Sequence, residues 1–294
     1  MPFSHGSYAT SLAVTIAVAS AGMGRAERIA APQRIVSAFL CTDEYVFRLI
    51  PRERIAGLSY LAGDTHPVVS TIAKQVNGIP GVRASAEQML ALHPDLVVTY
   101  QSTNARQTQL LRAAGVRVLE VPWAQSLADV RRVTLMLGGA LDASGRAQAL
   151  VQQMDADLVR ARAQASRPAV QTLIYEPNGY TTAGGVTDEI LSAAGLKNAG
   201  SFARITRSGT IPIEAVLTLA PELLVLNGEH EDEPARADAV LHHPALKALN
   251  RHTVVVRTSL VPLLCPGPWS VRVAPQLAKW GRSVHMLAGH SRKP

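Results

Sequence analysis

A phrase that occurs twice is the feature of this chain that most restricts its fold. The residues SAEQMLALHPDLVV at 85–98 return as PIEAVLTLAPELLV at 212–225, and the offset between Glu87 and Glu214 equals that between Pro94 and Pro221. Each copy predicts a short helix with an acidic first turn, which ends before a proline and is followed by a buried strand. A unit repeated at this distance indicates two similar α/β lobes.

The repeat also predicts a pair of carboxylates. If the lobes are related by a pseudo-two-fold axis, Glu87 and Glu214 occupy equivalent places, one in each lobe, on one surface. Such a pair suits docking onto a symmetric partner. The alternative explanation is that the helix dipole alone favours glutamate in a first turn. The residues by themselves leave both explanations open.

The composition excludes several classes of protein. The chain has 294 residues, of which 47% are hydrophobic and 17% charged, as in ordinary globular proteins with room for two hydrophobic cores. The net charge of +7 would suit nucleic acid, but the basic residues are scattered and form no run interleaved with aromatic residues. We therefore expect no nucleic-acid binding, and the charge would instead attract anionic ligands.

The N-terminal residues predict a secretory signal peptide that is cleaved near Ala26. The apolar stretch from Ser11 to Ala21 is too short to span a bilayer, and Gly24 and Ala26 supply small residues before a cut. The residues before Ser11 contain no Lys or Arg, so a misplaced start codon or a buried N-terminal helix remains an alternative. Export predicts a periplasmic protein in an oxidising compartment, and we expect it to be a monomer.

Strand and helix patterns alternate along the rest of the chain. This alternation predicts an α/β fold with two Rossmann-like lobes whose parallel sheets are joined by a single long α-helix, with a ligand cleft between the lobes. The predicted domains are a signal peptide at 1–26, an N-terminal lobe at 27–125, linking helices at 126–168 and a C-terminal lobe at 169–294. The predicted strands lie at 34–39, 54–58, 96–100, 116–121, 170–176, 223–227 and 253–257.

The linking region contains two helical patterns. The first begins near Leu127 and is expected to break at Gly138-Gly139. The second runs from Ser144 to Arg167, is expected to be capped by the residues at 142–144, and would extend about 35 Å at 1.5 Å per residue. A helix of that length can brace two lobes.

Ligands of open α/β sheets bind beyond the carboxyl ends of the strands, so the loops there carry the predicted site. Aromatic walls suit flat apolar ligands, and arginine adds charge for acidic ones. The alternative for each tyrosine or tryptophan is a half-buried core position whose polar group contacts water. The predicted ligand-binding residues are Cys41, Thr42, Tyr60, Arg83, Tyr100, Trp123, Tyr180, Arg204, Cys265 and Trp269. Further candidates are Asp43, Gln101, Thr181, Thr182, Arg207, Asn227, Glu229 and His230.

The two cysteines fall in loops that are expected to face the cleft, one in each lobe. Two free buried thiols are the expected state of Cys41 and Cys265. A bond between them is the second option and requires Cα atoms within roughly 7 Å. Ligation of a soft metal ion by the thiolates is the third.

Two rival functions come from other residues. The acidic loop at 228–233 could hold a bare divalent ion such as zinc or manganese, but consecutive side chains rarely converge on one ion, so we expect a solvated loop and no metal site. The usual nucleotide, hydrolase and zinc-protease motifs are missing from the sequence, so no enzyme is expected. A periplasmic sensor or an enzyme that uses the same cleft remains an alternative.

The order of these motifs resembles the periplasmic binding proteins of ABC importers for iron-siderophore, haem and cobalamin, the class with a rigid interlobe helix. The resemblance covers about 33–288 and rests on RIVS at 34–37, the doubled phrase and HPALKAL at 243–249. It implies capture of an iron complex or corrinoid and delivery to an inner-membrane permease dimer, without a resident cofactor. It also implies that Glu87 and Glu214 meet arginines of the permease, one from each lobe.

Overall fold

The computed structural model describes Met1 and residues 30–65, 68–203, 205, 208–228, 236–251 and 253–290. The chain from Ala31 onward clusters as one compact unit, separate from Met1–Ala30. The expected signal peptide lies outside the described residues, so its cleavage near Ala26 stays a prediction.

The N-terminal lobe contains a five-stranded parallel sheet with the strand order β3-β2-β1-β4-β5. Its central strands β1 and β4 are apolar and fully buried, as expected for a parallel sheet that is covered on both faces. The strands are β1 Ile35–Ser37, β2 Ile55–Ser59, β3 Gly81–Val82, β4 Leu96–Tyr100 and β5 Arg117–Val121. The helices are α1 Leu40–Leu49, α2 Ala86–Leu90 and α3 Ala105–Ala113.

The C-terminal lobe contains a four-stranded parallel sheet with the order β11-β10-β6-β8 and a separate antiparallel ribbon of β7 and β9. The strands are β6 Val170–Tyr175, β7 Tyr180–Thr182, β8 Leu196–Asn198, β9 Ser208–Thr210, β10 Leu223–Asn227 and β11 Val254–Thr258. The helices are α6 Gly185–Ala193, α7 Ile213–Leu219, α8 Val261–Leu264 and α9 Ala274–His290.

The doubled phrase occupies equivalent places in the two lobes. In the first copy α2 precedes β4, which pairs with β1, the first strand of its sheet; in the second copy α7 precedes β10, which pairs with β6, the first strand of the other sheet. The prediction of two similar α/β lobes is confirmed.

Two helices connect the lobes and contribute to both cores. Helix α4, Leu127–Ala140, places Val130 in the C-terminal core and Leu137 in the N-terminal core. Helix α5, Ser144–Ala163, runs the opposite way, with Ala147 in the N-terminal core and Met154 in the C-terminal core. The predicted long helix is therefore present, spans about 30 Å over its 20 residues, and has α4 packed beside it.

The expected details of this helix pair are partly wrong. Helix α4 continues through Gly138-Gly139. A side chain at Gly138 would collide with the Cβ atom of Ala147, so glycine at this position lets the two helices approach. Helix α5 begins after Ala143 without a side-chain cap, since Asp142 adopts a left-handed conformation with φ of 52°. Helix α5 ends at Ala163, before the expected Arg167.

Candidate ligand groove and docking carboxylates

A disulfide bond brings the carboxyl edges of the two sheets together. Cys41 follows β1, Cys265 follows β11, and their sulfur atoms are bonded with Cα atoms 5.0 Å apart. The expectation of two free thiols is therefore wrong, and thiolate ligation of a metal is excluded with it, because the chain has two cysteines and both are bonded. This shared edge is where a ligand groove is expected, beyond the carboxyl ends of the parallel strands.

Five side chains form a row along the carboxyl edge of the N-terminal sheet, one from each strand. In the spatial order of the strands they are Arg83 after β3, Tyr60 after β2, Phe39 after β1, Tyr100 at the end of β4 and Trp123 after β5. Four of them were predicted from the sequence. Phe39 was missed because the predicted first strand ended there.

The aromatic members of this row pack against one another. The rings of Tyr100 and Trp123 are stacked, with centroids 4.2 Å apart and planes 11° apart, and Phe39 packs edge-on to both. The indole nitrogen of Trp123 donates a hydrogen bond to the carbonyl oxygen of Gln101 at 3.3 Å. Tyr100 is the buried inner ring of the stack, whereas Trp123 is 44% exposed, so the stack presents an aromatic surface of fixed orientation to solvent.

The other end of the row carries positive charge. The guanidinium of Arg83 lies over the ring of Tyr60 at 4.7 Å, and both side chains are exposed. A side chain at Gly81 would lie 3.3 Å from the Cα atom of Tyr60, so glycine lets these two segments approach. The pair offers a cation and an aromatic ring to one ligand.

The C-terminal lobe adds fewer described groups at its carboxyl edge. Tyr180 begins β7 with its side chain 48% exposed, and its carbonyl oxygen accepts a hydrogen bond from the backbone nitrogen of Glu176 at 2.8 Å. Glu176 follows β6, and burial raises the pKa of its carboxyl group. The predicted residues Arg204, Arg207, Glu229 and His230 lie outside the described part of the chain.

Several predicted site residues lie behind this surface. The loop expected at Cys41, Thr42 and Asp43 is wrong, because α1 begins at Leu40 and buries all three. The hydroxyl of Thr42 donates to the carbonyl oxygen of Phe39 at 2.8 Å, which fixes the start of the helix. Cys265 and Trp269 are also buried, so these predicted residues expose almost no surface to a ligand.

Asp43 of α1 lies behind the row and forms hydrogen bonds with the end of β2. Its carboxyl group is fully buried and accepts hydrogen bonds from the backbone nitrogen of Ser59 at 3.1 Å and from its hydroxyl at 2.5 Å. Burial raises the pKa of this carboxyl group well above its ordinary value, although the hydrogen bonds from Ser37 and Ser59 oppose the change. Asp43 thereby holds the end of β2, and Tyr60 after it, against α1.

The two glutamates of the repeat are exposed in the first turns of α2 and α7. A helix that leads into a parallel strand runs back along the sheet, so both helices begin at the carboxyl edges where the groove is expected. The hydroxyl of Ser85 donates to a carboxylate oxygen of Glu87 at 2.6 Å, and this hydrogen bond lowers the pKa of Glu87. Glu87 therefore stays ionised and oriented at the helix tip.

Two negative findings apply to the described residues only. They include no group of three or more His, Cys, Asp or Glu side chains that could hold a metal ion. They also include no helix with the length and apolar character needed to cross a bilayer. The acidic residues at 229–233 are outside the described ranges, so the expectation of a solvated loop remains untested there.

The fold is that of a periplasmic binding protein. A sequence profile for the family described as "Periplasmic binding protein" matches residues 56–258, and the chain belongs to this family. It is similar to the uncharacterized ABC transporter substrate-binding lipoprotein YvrC of Bacillus subtilis, with 28% identity over 72% of this chain and 71% of that protein.

Solved structures share the fold at lower identity. The periplasmic haem-binding protein RhuT from Roseiflexus sp. RS-1, in its apo form, matches with a TM-score of 0.71 and 22% identity over 86% of this chain and 98% of that one. The periplasmic vitamin B12-binding protein BtuF of Vibrio cholerae matches with a TM-score of 0.64 and 17% identity over 87% of this chain and 98% of that one.

Proposed function

We propose that this chain is the periplasmic solute-binding component of an ABC importer, and that it captures a metal chelate in the groove between its lobes. The chelate is an Fe(III)-siderophore, haem or a corrinoid, and the protein acts as a monomer without catalytic activity. The observation that carries the proposal is the row from Arg83 to Trp123, which sets an open aromatic surface beside a cation along one sheet edge. The relatives named as haem-binding, B12-binding and ABC transporter substrate-binding proteins support the same class.

The chemistry of the row favours a flat ligand with an acidic periphery. The exposed rings of Tyr60 and Trp123 offer apolar faces, and an aromatic contact contributes about 0.5–1.5 kcal/mol beyond area burial. Arg83 can form directional hydrogen bonds with carboxylate or catecholate oxygens. The net charge of +7 adds long-range attraction for an anionic chelate.

Binding is tested with three probes. The purified mature protein is titrated separately with haemin, ferrichrome and cyanocobalamin, and tryptophan fluorescence and ligand absorbance are followed. We expect saturable one-to-one binding of at least one probe with a Kd of about 1 µM or tighter. The variant Trp123→Ala should weaken that binding at least tenfold, whereas the matched control Leu110→Ala, also exposed but on α3, should leave it unchanged. A folded protein that binds none of the three contradicts the proposed ligand class.

Docking is tested through the two glutamates. Each exposed carboxylate gives a weak contact alone, but two contacts on a rigid body fix its orientation on a two-fold permease and multiply the affinity. The double variant Glu87→Ala/Glu214→Ala should keep its affinity for the bound probe and lose uptake into proteoliposomes that contain the cognate permease. Glu53→Ala removes another exposed carboxylate and serves as the control. Transport at the wild-type rate in the double variant would end the docking proposal.

A further inference from the structure

One face of α1 makes a second connection between the lobes, in addition to α4 and α5. Cys41, Tyr45 and Arg48 are four and three residues apart in this helix, a spacing that puts their side chains on one face. All three contact the segment at 265–269, which leaves the C-terminal core after Leu260, packs Cys265 and Trp269 into the N-terminal core and returns to the C-terminal core at Val271. We call these contacts the α1 seam.

The seam combines a covalent bond with aromatic packing. Cys41 is bonded to Cys265. Four residues further along α1, the ring of Tyr45 packs edge-on against Trp269 with centroids 4.8 Å apart, and its hydroxyl donates to the carbonyl oxygen of Pro266 at 3.3 Å. The guanidinium of Arg48 also lies over the Trp269 ring, 4.4 Å from its centroid. Every turn of this helix face is therefore attached to the same five-residue segment.

The contacts of the α1 seam are buried and tightly packed. Cys41, Tyr45, Cys265 and Trp269 are all buried. A side chain at Gly267 would collide with the ring of Trp269, so the segment is folded tightly against its own tryptophan.

Arg48 is itself held from the N-terminal lobe. Its guanidinium pairs with the Glu44 carboxylate at 2.5 Å and donates to the hydroxyl of Thr71 at 2.6 Å. Thr71 also donates to Glu44 through its backbone nitrogen at 2.6 Å. The cation that stacks on Trp269 is thus fixed to two segments of the other lobe.

The seam adds a covalent attachment beside the helix pair, because residues 268–273 also pack against α5. Packing of a helix pair can yield when two lobes twist or tilt, whereas a covalent bond between α1 and this segment would oppose such motions. We propose that the Cys41–Cys265 bond, supported by the α1 seam, is a covalent cross-link that fixes the relative orientation of the lobes and hence the width of the proposed groove between them. This role follows from the connectivity alone and does not depend on the identity of the ligand.

The test measures the distance between the lobes without any ligand. Leu110 on α3 and Lys279 on α9 are both exposed. Each is replaced by p-acetylphenylalanine and labelled through its ketone with a nitroxide, so the cysteines remain untouched. Pulsed electron paramagnetic resonance then gives the distance distribution. We expect one narrow distribution for the oxidised protein and a distribution at least twice as broad for Cys41→Ser/Cys265→Ser.

Two further samples keep the test decisive. Reduction of the wild-type bond, verified by mass spectrometry, should broaden the distribution in the same way and replaces the double variant if that variant fails to fold. The control Ile190→Val removes a methyl group from the C-terminal core far from the α1 seam and should leave the distribution narrow. An unchanged narrow distribution in the folded, bond-free protein would overturn the proposal.

Discussion

Replacement of Arg48 by methionine tests the energetic importance of the ion pair behind the α1 seam. The side chain of Arg48 is 15% exposed and that of Glu44 is 1% exposed, so both charges are largely removed from water. Methionine keeps much of the length and volume against Trp269 but leaves the Glu44 carboxylate without its cation. Loss of one partner of a buried pair costs about 3–5 kcal/mol.

The remaining contacts of Glu44 place this substitution at the lower end of that range. Glu44 keeps hydrogen bonds from the hydroxyl of Ser70 at 2.9 Å and from the nitrogen and hydroxyl of Thr71, each at 2.6 Å. We therefore expect Arg48→Met to lower the free energy of unfolding by about 3 kcal/mol. Urea denaturation at pH 7, followed by circular dichroism with the disulfide intact, measures the change.

Two companion variants distinguish this explanation from general damage. Glu44→Gln/Arg48→Met removes both charges and should regain about 1 kcal/mol or more relative to Arg48→Met, because no unpaired charge stays buried. Arg112→Met breaks the pair with Glu120, whose side chains are 52% and 30% exposed, and should cost no more than about 1 kcal/mol. If Arg48→Met is as stable as Arg112→Met, the reasoning about the buried pair is refuted.

Two other predictions concern stability. Burial raises the pKa of Asp43, so the folded state binds its proton more tightly than the unfolded state does, and this contribution to stability declines as the pH rises from the ordinary value of 3.8 towards the raised pKa. The stability of Asp43→Asn relative to the wild type should therefore increase from about pH 4 to pH 8, as measured by urea denaturation at each pH. A decrease over that range would contradict the burial argument. Gly179 has φ of 77°, and a side chain there would lie 2.7 Å from the carbonyl oxygen of Ile211. Gly179→Ala should lower the Tm, whereas Gly139→Ala, in a helix with nothing within 4 Å, should raise it; equal shifts would count against the steric account.

The sequence predicts the sheets well because parallel strands leave a strong local pattern. The strand at Leu96–Tyr100 and the strand at Leu223–Asn227 have the predicted bounds, since each is a short apolar run that follows a helix stop. The two-residue strand β3 was not predicted, because two residues carry no periodicity.

Helix α1 shows why part of the site escaped the sequence. Its residues from Cys41 to Val46 are all buried, including the consecutive polar residues Thr42, Asp43 and Glu44, and it is this polar run that suggests a loop in the sequence. The disulfide and the ring stack join residues that are distant in the chain, and their formation depends on how the lobes pack. The strand-end rule nevertheless selected Tyr60, Arg83, Tyr100 and Trp123, because it depends on sheet topology alone.

The sharing of helices between the cores has a consequence for the chain as a whole. The N-terminal core includes Leu137 and Leu141, which follow its last strand, and Trp269 from near the other end of the sequence. A fragment that stops at Val121 would lack all of these side chains and would expose the apolar surfaces they cover. The two halves resemble duplicated modules in topology, yet each core includes side chains from the connecting helices. We therefore expect a chain break between the halves to destabilise both lobes.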